Sequence, residues 1–182
     1  MEENDAQLVS ETILGKQGSF ETLVTRYTTP IYNFAFRLTG NTQTAEDITQ
    51  ETFVKVWKNI KKYNSSQVFR AWIFTIARNT ATDHLRKKAT IPFSLLGGED
   101  QEFEDTLSDE TILPDEMFAK IEDAKVLETF LEALPPDYRT VIILHYQENM
   151  TFDEIGKVLQ KPLNTVKSHH RRALEKLRDL LS

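Results

Sequence analysis

The amino-acid sequence predicts an all-α protein, in which two small helical domains are joined by a flexible acidic linker and the second domain ends in a helix-turn-helix. Apolar residues recur at helical spacing over residues 5–88 and again over residues 121–177. Residues 89–120 instead carry nine acidic residues, one basic residue, two prolines and a Gly-Gly pair. That composition is typical of a self-repelling linker. We therefore divide the chain into a first domain (1–88), a linker (89–120) and a second domain (121–182).

Composition excludes several kinds of site and predicts a cytoplasmic protein. The chain has 182 residues, of which 40% are hydrophobic, and it has no cysteine. Disulfide bonds and thiolate metal sites are therefore excluded. No segment approaches the roughly 18 consecutive apolar residues of a membrane span, and the first residues, MEENDAQ, are unlike a signal peptide. We expect no direct insertion into a membrane.

The net charge of −6 conceals two basic segments. Residues 55–88 hold nine Lys and Arg residues against one acidic residue, and residues 161–182 hold six against two. This asymmetry indicates two separate patches that bind a polyanion, rather than a uniformly acidic protein.

The first domain is predicted to begin with two helices. A short amphipathic helix covers residues 5–14 and is followed by a segment with two glycines. A long apolar stripe then extends over residues 20–38, with Pro30 as a candidate kink. Gly40 is expected to end this helix, because glycine readily adopts the left-handed conformation of a helix C-terminus.

Two further helices and a polar loop complete the predicted first domain. Thr44 is expected to cap the third helix, and Trp57 and Trp72 are expected in the core. A loop at residues 63–66 precedes a fourth helix, whose apolar stripe covers residues 69–80. The opposite face of that helix carries polar side chains, namely Arg78, Asn79, Thr82, Asp83 and Arg86. This face fits binding to single-stranded or opened DNA, or else the solvated outer side of a core helix.

The second domain is predicted to contain two helices before its helix-turn-helix. Apolar residues line a helix over residues 121–134, which Pro135 and Pro136 end. The next helix is lined by Tyr138, Val141, Ile142 and His145. Asn149 is expected to adopt the left-handed conformation after it.

The first helix of the predicted helix-turn-helix has a clear N-terminal signal. Thr151 can accept a hydrogen bond from the backbone of residue 154, and the Glu154 side chain can reach back to Thr151, which is a capping box. Met150 and Ile155 occupy the positions of a hydrophobic staple. Apolar residues follow at helical spacing, which predicts a short amphipathic helix.

The second helix of this motif is strongly basic. Gln160 and Lys161 are predicted to form the turn, and Pro162 suits the first position of the helix. One side of the helix is apolar or inward-facing, with Val166, His170, Ala173, Leu174 and Leu177. The remaining surface is polar and basic, so the helix is suited to the major groove of DNA. An ordinary helical hairpin with a solvated basic face is the alternative.

The sequence contains no recognisable catalytic or metal-binding constellation. The adjacent histidines His169 and His170 point about 100° apart on a helix, unlike the i, i+4 pair of a zinc site. The glycine-rich, nucleophile-elbow and calcium-loop patterns are also absent. We therefore predict a protein that is not an enzyme and has no cofactor or metal.

Three motifs in this order resemble bacterial RNA polymerase sigma factors of the small, two-domain extracytoplasmic-function type. The motifs are AEDITQETF, FRAWIFTIARN and a terminal EIG followed by NTVKSHHRRAL. The resemblance implies a transcription initiation factor that directs core RNA polymerase to promoters through their minus-thirty-five and minus-ten elements and assists promoter opening. It also implies that the acidic linker runs towards the polymerase active site. An anti-sigma factor is a further candidate partner.

The resemblance assigns three sets of site residues. The set implied to bind the clamp helices of the largest polymerase subunit is Asp47, Gln50 and Glu51. The set implied to bind the minus-ten element and a flipped base is Asn64, Ser65, Ser66, Gln67, Asn79, Asp83 and Arg86. The set implied to bind the minus-thirty-five duplex is Lys167, Ser168, Arg171 and Arg172. The second domain is also implied to contact the flap region of the polymerase.

Four positions of the helix-turn-helix depart from the family pattern. Gln160 and Asn164 stand where glycine is usual, Lys161 replaces an apolar residue, and His170 replaces an aliphatic one. We expect a less tight turn and looser packing behind the second helix. The promoter sequence therefore cannot be transferred from relatives.

Two other classes of function fit parts of the sequence. A polymerase-independent regulator would use only the final helix-turn-helix, which leaves AEDITQETF unexplained. A sigma-like decoy would bind polymerase or another partner without initiating transcription. For the linker, we also put forward the hypothesis that it masks the basic helices in the free protein, so that deleting residues 99–116 increases DNA binding.

Overall fold

A computed structural model describes residues 4–88 and 129–181, without the side chains of Lys88 and Leu181. Every regular element in these two ranges is helical. The predictions for residues 89–128, which include the linker and the start of the second domain, lie outside the described residues. The helices of residues 4–88, called here the first unit, and those of residues 129–181, the second unit, are described separately.

The first unit consists of four helices and a short 3-10 turn. The helices are α1 (Asp5–Ile13), α2 (Ser19–Thr39), α3 (Thr42–Asn59) and α4 (Phe69–Lys88), with the 3-10 turn at Ile60–Lys62. Helix α2 packs against the other three helices, and α3 packs on α4. This order matches the four helices and the loop predicted from the sequence.

The core of the first unit is built on α2. Its buried stripe contains Tyr27, Ile31 and Phe34, and Phe34 meets Phe74 of α4 edge-on with ring centroids 5.3 Å apart. Asp5 of α1 accepts hydrogen bonds from the side chains of Arg26 and Tyr27 in α2. Because Asp5 lies in the first turn of α1, it also complements the helix dipole.

Two predictions for the first unit are wrong. Asn41, not Thr44, caps α3, because the Asn41 side chain accepts a hydrogen bond from the Thr44 backbone N–H at 2.8 Å. Trp57 is 58% exposed on the surface of α3, where its ring lies 4.8 Å from that of Phe20. Trp72 is only half-buried. Helical spacing placed both tryptophans on an apolar stripe, but the neighbouring helices do not cover that stripe completely.

The second unit contains a helical segment at residues 129–132 and three further helices. These are α5 (Pro136–Tyr146), α6 (Phe152–Leu159) and α7 (Leu163–Leu181). Pro136 stands at the first position of α5, where its missing N–H is tolerated. Leu131 and Leu134 are buried together with apolar residues of all three helices.

The N-terminus of α6 confirms the predicted capping box. The Thr151 backbone N–H donates to the Glu154 carboxylate at 2.9 Å, and the Glu154 backbone N–H donates to the Thr151 hydroxyl at 3.3 Å. Met150 and Ile155, the two staple positions, are both buried. Asn149 has a φ of 50°, the left-handed conformation expected for it.

The turn between α6 and α7 is tight despite Gln160. Gln160 itself adopts the left-handed conformation, with a φ of 56°. The Gly156 carbonyl accepts a hydrogen bond from the Lys161 N–H at 3.0 Å, and a Cβ at position 156 would lie only 3.0 Å from the Lys161 carbonyl oxygen. Helix α7 begins at Leu163, so Pro162 immediately precedes the helix. The prediction that Pro162 occupies the first helical position is wrong by one residue.

Candidate nucleic-acid interface

The outer face of α7 presents the four residues predicted to bind the minus-thirty-five duplex. Lys167 and Arg171 are exposed, and Ser168 and Arg172 are half-buried beside them. Positions 167 and 171 are one helical turn apart, as are 168 and 172, so the four side chains share one face of α7. The Arg171 guanidinium lies 3.8 Å from the Glu175 carboxylate, an exposed pair that leaves its charge accessible to solvent.

The opposite side of α7 is buried, but its histidines are arranged differently from the prediction. Val166, Ala173 and Leu177 are buried as predicted. His169, rather than His170, is the fully buried histidine, and its ring centroid lies 4.8 Å from that of Tyr138 in α5. His170 is only half-buried.

His170 belongs to a cluster of four rings that joins α5, α6 and α7. Its Nε2 is 2.8 Å from the Tyr146 hydroxyl, and its ring lies 5.0 Å from Phe152 and 5.3 Å from His145. The His145 ring stacks on Phe152 at 4.5 Å. Burial and the neighbouring His145 lower the pKa of His170 to about 4. His170 is therefore neutral at ordinary pH.

In the first unit, α4 presents the polar face predicted to bind minus-ten DNA. Asn79 and Arg86 are exposed and Asp83 is half-buried. The Asn79 side-chain oxygen accepts a hydrogen bond from Arg78 at 3.3 Å, and Arg86 pairs with Asp83 at 3.0 Å. The face thus combines an exposed amide with a charge pair one to two turns further along the helix.

The loop before α4 is exposed at all four predicted positions, residues 64–67. Its backbone is nevertheless constrained. The Asn64 side chain accepts from the Ser66 N–H at 3.0 Å, and the Asn64 carbonyl accepts from the Gln67 N–H at 2.9 Å. The Tyr63 hydroxyl donates to the Gln67 carbonyl. These bonds define the loop conformation while leaving its outer side accessible.

An aromatic cluster supports this loop. The Tyr63 ring lies 5.7 Å from Phe69 and 5.1 Å from the half-buried Trp72. Burial raises the pKa of Tyr63, so its hydroxyl stays protonated and able to donate. Helical spacing predicted Trp72 in the core, and only the packing of the helices shows that Trp72 remains partly exposed.

Helix α3 carries the residues predicted to bind polymerase, and the three differ in their surroundings. Asp47 and Gln50 are exposed. Glu51 is half-buried and contacts two basic side chains, Lys55 at 2.8 Å and His84 of α4 at 2.9 Å. These two groups, Lys55 first, hold the pKa of Glu51 below its ordinary value.

The link from α3 to α4 extends beyond Glu51. Lys55 donates a hydrogen bond to the Thr80 hydroxyl of α4 at 3.0 Å, alongside the Glu51–His84 contact. Lys55, Thr80 and His84 therefore adjoin the predicted polymerase-binding residues, and the sequence pattern did not identify them. Helical spacing could have placed Lys55 one turn after Glu51, but the α4 partners depend on how the two helices pack.

In the described ranges, no group of three or more potential metal ligands is present. Among the same residues, no helix is both long and apolar enough to cross a bilayer.

Two family models match the chain in separate segments. The model described as sigma-70 region 2 matches residues 23–91, and that described as sigma-70, region 4 matches residues 124–177. The chain is also 32% identical to the ECF RNA polymerase sigma factor SigW of Bacillus subtilis over 170 residues, which cover 92% of this chain and 91% of SigW. The chain belongs to the extracytoplasmic-function group of the sigma-70 family. It is therefore a promoter-specific transcription initiation factor that acts with RNA polymerase.

Solved structures have a similar fold. The structure of CnrH in complex with the cytosolic domain of CnrY has a TM-score of 0.72 and 25% identity, covering 97% of this chain and 96% of CnrH. The sigma factor RpoE of Bartonella quintana, in complex with the anti-sigma factor NepR, has a TM-score of 0.67 and 23% identity, covering 89% and 96% of the two chains. The predicted fold class and family are confirmed, and the initiation factor is the function confirmed among the three left open by the sequence.

Proposed function

We propose that the three predicted sets of residues bind three different partners during initiation, two through the first unit and one through the second. In the first unit, α3 binds core polymerase, and the loop at residues 64–67 with α4 binds the minus-ten element. In the second unit, α7 binds the minus-thirty-five duplex. The observation that carries this proposal is the two-sided character of α7, whose basic outer face is exposed while its opposite side is buried.

The minus-thirty-five step rests on charge and on shape. An exposed helix of about 10–12 Å diameter fits the major groove of B-DNA. Lys167 and Arg171 supply phosphate contacts, which give affinity, whereas an arginine at a guanine edge gives about 1–3 kcal/mol of discrimination. Arg172, partly held by its surroundings, is the candidate for such a base contact.

The minus-ten step rests on the constrained, accessible loop. Capturing a flipped base costs a few kcal/mol of unstacking, which contacts in a preformed site offset. The Asn64 turn and the Tyr63 bond hold the loop in one conformation before DNA arrives. Asn79 contributes an exposed amide on α4, and the open side of Trp72 offers a surface for stacking.

The polymerase step rests on the exposed carboxylate of Asp47 and the exposed amide of Gln50. We propose that they, with Glu51, dock on the clamp helices of the largest subunit, while the second unit contacts the flap region. Because Glu51 also bonds to His84, docking at α3 is mechanically connected to the DNA-binding helix α4.

Further proposals concern the cellular location, an additional partner and the domain boundaries of the chain. We propose a cytoplasmic, non-enzymatic factor, because its polymerase and promoter partners are there and the polymerase supplies the catalysis. Two structural neighbours were solved with the cytosolic domain of CnrY and with the anti-sigma factor NepR, which supports an anti-sigma factor as a partner of this chain. The division at residues 1–88, 89–120 and 121–182 is supported by the two separate family matches.

Core binding and run-off transcription test the polymerase assignment. Gln50→Ala combined with Glu51→Ala should weaken association with bacterial core enzyme in gel filtration and lower the run-off transcript. Glu21→Ala, which removes an exposed carboxylate from α2, is the control and should behave like the unmodified chain. Unaltered core affinity of the double variant would remove the assignment of α3.

Promoter variants test the two DNA assignments. Arg171→Ala should reduce dependence on the minus-thirty-five element, with Lys176→Ala on the same helix as its control. Asn79→Ala should reduce permanganate reactivity of the opened minus-ten region, with Asn33→Ala as its control. A permanganate pattern that the Asn79 change leaves intact would count against the role of α4.

A further inference from the structure

Two tyrosine hydroxyls of α5 make hydrogen bonds to side chains of α7. Tyr138 is at the start of α5 and Tyr146 is at its end. The Tyr138 hydroxyl accepts a hydrogen bond from the Arg172 guanidinium at 3.4 Å, and the Tyr146 hydroxyl is hydrogen-bonded to His170 Nε2 at 2.8 Å. Each hydroxyl therefore joins α5 to a side chain of the helix that carries the basic face.

The two contacts hold α7 from different directions. Successive residues of an α-helix are separated by about 100°, so His170 and Arg172 lie about 200° apart around α7. The Tyr138 ring also packs on His169, one turn before Arg172, at a centroid distance of 4.8 Å. A helix held at one point can rotate about its axis, but two contacts on different sides resist rotation.

The His170 contact has the chemistry that a hydrogen bond with a hydroxyl needs. The pKa of His170 is about 4, lowered by burial and by His145, so the imidazole is neutral and keeps one nitrogen as an acceptor. Phe152 of α6 lies 5.0 Å from the same ring. The Tyr146 bond is thus formed inside a packed cluster rather than on an open surface.

The Arg172 contact acts on a predicted DNA-binding group directly. The guanidinium is half-buried, and Tyr138 is buried with only 7% of its surface exposed. A flexible arginine that is bonded to a fixed hydroxyl presents its remaining donors in fewer directions. Because base-edge hydrogen bonds require good alignment, this restriction affects which base Arg172 selects.

We propose that the hydroxyls of Tyr138 and Tyr146 are positioning groups that fix the rotation of α7 and the direction of Arg172, and thereby set its base preference in the minus-thirty-five duplex. The proposal rests on the proposed function of α7 and deepens it. Recognition groups must be held to within about 0.5 Å by the contacts behind them, and these hydroxyls are such contacts. The sequence pattern assigned Tyr138 to the apolar lining of its helix and so did not identify it.

The experiment measures sequence preference rather than binding alone. Holoenzyme is assembled from the full chain and bacterial core polymerase, and bound DNA is sequenced from a promoter library randomised across the minus-thirty-five region. Tyr138→Phe and Tyr146→Phe remove single oxygen atoms and preserve the rings. At each affected position, each variant should lower the ratio of binding with the best base to binding with the next-best base by about three- to tenfold. This fold-change corresponds to the typical net free energy of one hydrogen bond. Tyr32→Phe in α2 is the matched control and should change nothing.

The readouts separate positioning from a structural role. Tyr138→Phe should relax preference at the same base positions as Arg172→Ala, while core affinity and minus-ten preference stay unchanged. A uniform loss of binding to all library members, or a base preference identical to that of the unmodified chain, would overturn the proposal.

A separate outcome identifies failure of the underlying assignment. If Arg171→Ala and Arg172→Ala both leave the minus-thirty-five preference unchanged, the proposed function of α7 is wrong. If those changes relax the preference and the tyrosine variants do not, only the positioning role is wrong.

Discussion

The two units hold their predicted functional residues in different ways. In the first unit several of these residues are bonded to neighbours: Glu51 of α3 pairs with His84 of α4, and Asp83 pairs with Arg86. In the second unit, Lys167 and Arg171 face solvent, and two other residues of α7, His170 and Arg172, make the hydrogen bonds to α5.

This difference shows which predicted functional residues also stabilise the fold. A substitution at Glu51 removes a proposed polymerase contact and also a bond between two helices. A substitution at Lys167 removes charge from a surface without touching the core. Effects of mutation on stability and on activity should therefore be correlated at Glu51 and independent at Lys167.

The largest expected effect tests that independence. Lys167→Ala combined with Arg171→Ala should weaken holoenzyme binding to minus-thirty-five DNA by about 10- to 100-fold and lower the slope of log affinity against log salt by about 2, one for each phosphate contact. The midpoint of thermal unfolding should not change. A binding loss accompanied by a lower midpoint would show that the outer face of α7 also stabilises the second unit.

The second-largest expected effect is a difference between the two units in how their stability changes with pH. In the unfolded chain His170 has a pKa of about 6.5, whereas in the folded chain its pKa is about 4. Between these values the unfolded state binds the extra proton, so the second unit should lose stability as pH falls from about 6.5 to 4. For this half-buried group, we expect about 1–2 kcal/mol after allowance for solvent screening. Amide hydrogen exchange in α5–α7 measures the change.

The His170→Leu variant and the first unit serve as references for that experiment. His170→Leu should abolish this loss of stability, which is measured as the amide protection factor after correction for the intrinsic exchange rate at each pH. In the first unit, the lowered pKa values of Glu11 and Glu51 contribute stability that is lost only below about pH 4.3. Since Trp57 and Trp72 are the two tryptophans of the chain, tryptophan fluorescence follows the first unit alone.

A smaller effect compares neighbouring residues of α3. Glu51→Ala should reduce the stability of the first unit by about 0.5–1 kcal/mol, because it removes a partly exposed network of charges. Gln50→Ala should leave stability unchanged although both variants weaken polymerase binding. Tryptophan fluorescence during urea unfolding measures this difference, and equal stability of the two variants would contradict a bridging role for Glu51.

The smallest effect concerns the two left-handed residues of the second unit. Gln160→Gly should stabilise it by about 0.5–1 kcal/mol, because glycine relieves the left-handed strain of a longer side chain at some cost in unfolded-state entropy. Asn149→Gly, at a similar φ, should gain less because asparagine tolerates this conformation better. Hydrogen exchange in α6 measures both variants, and an equal gain would indicate that side-chain contacts outweigh backbone strain.

Local chemistry made much of this fold predictable. The helices, the capping box at Thr151, the left-handed Asn149 and the glycine that ends α2 depend on residues within one or two turns of each other. Such interactions are visible in the sequence itself. The same holds for the exposure of Lys167 and Arg171, because helical periodicity separates an apolar side from a basic one.

By itself, the sequence determined the helices, their polar faces and, through three ordered motifs, the family. Only the tertiary structure decided that Trp57 is exposed, that His169 rather than His170 is buried, and that Glu51 and Arg172 have partners on other helices. The physical reason is that these outcomes depend on contacts between residues far apart in the chain. Periodicity indicates which side of a helix faces inward, but the approach and orientation of neighbouring helices determine what each side chain meets there.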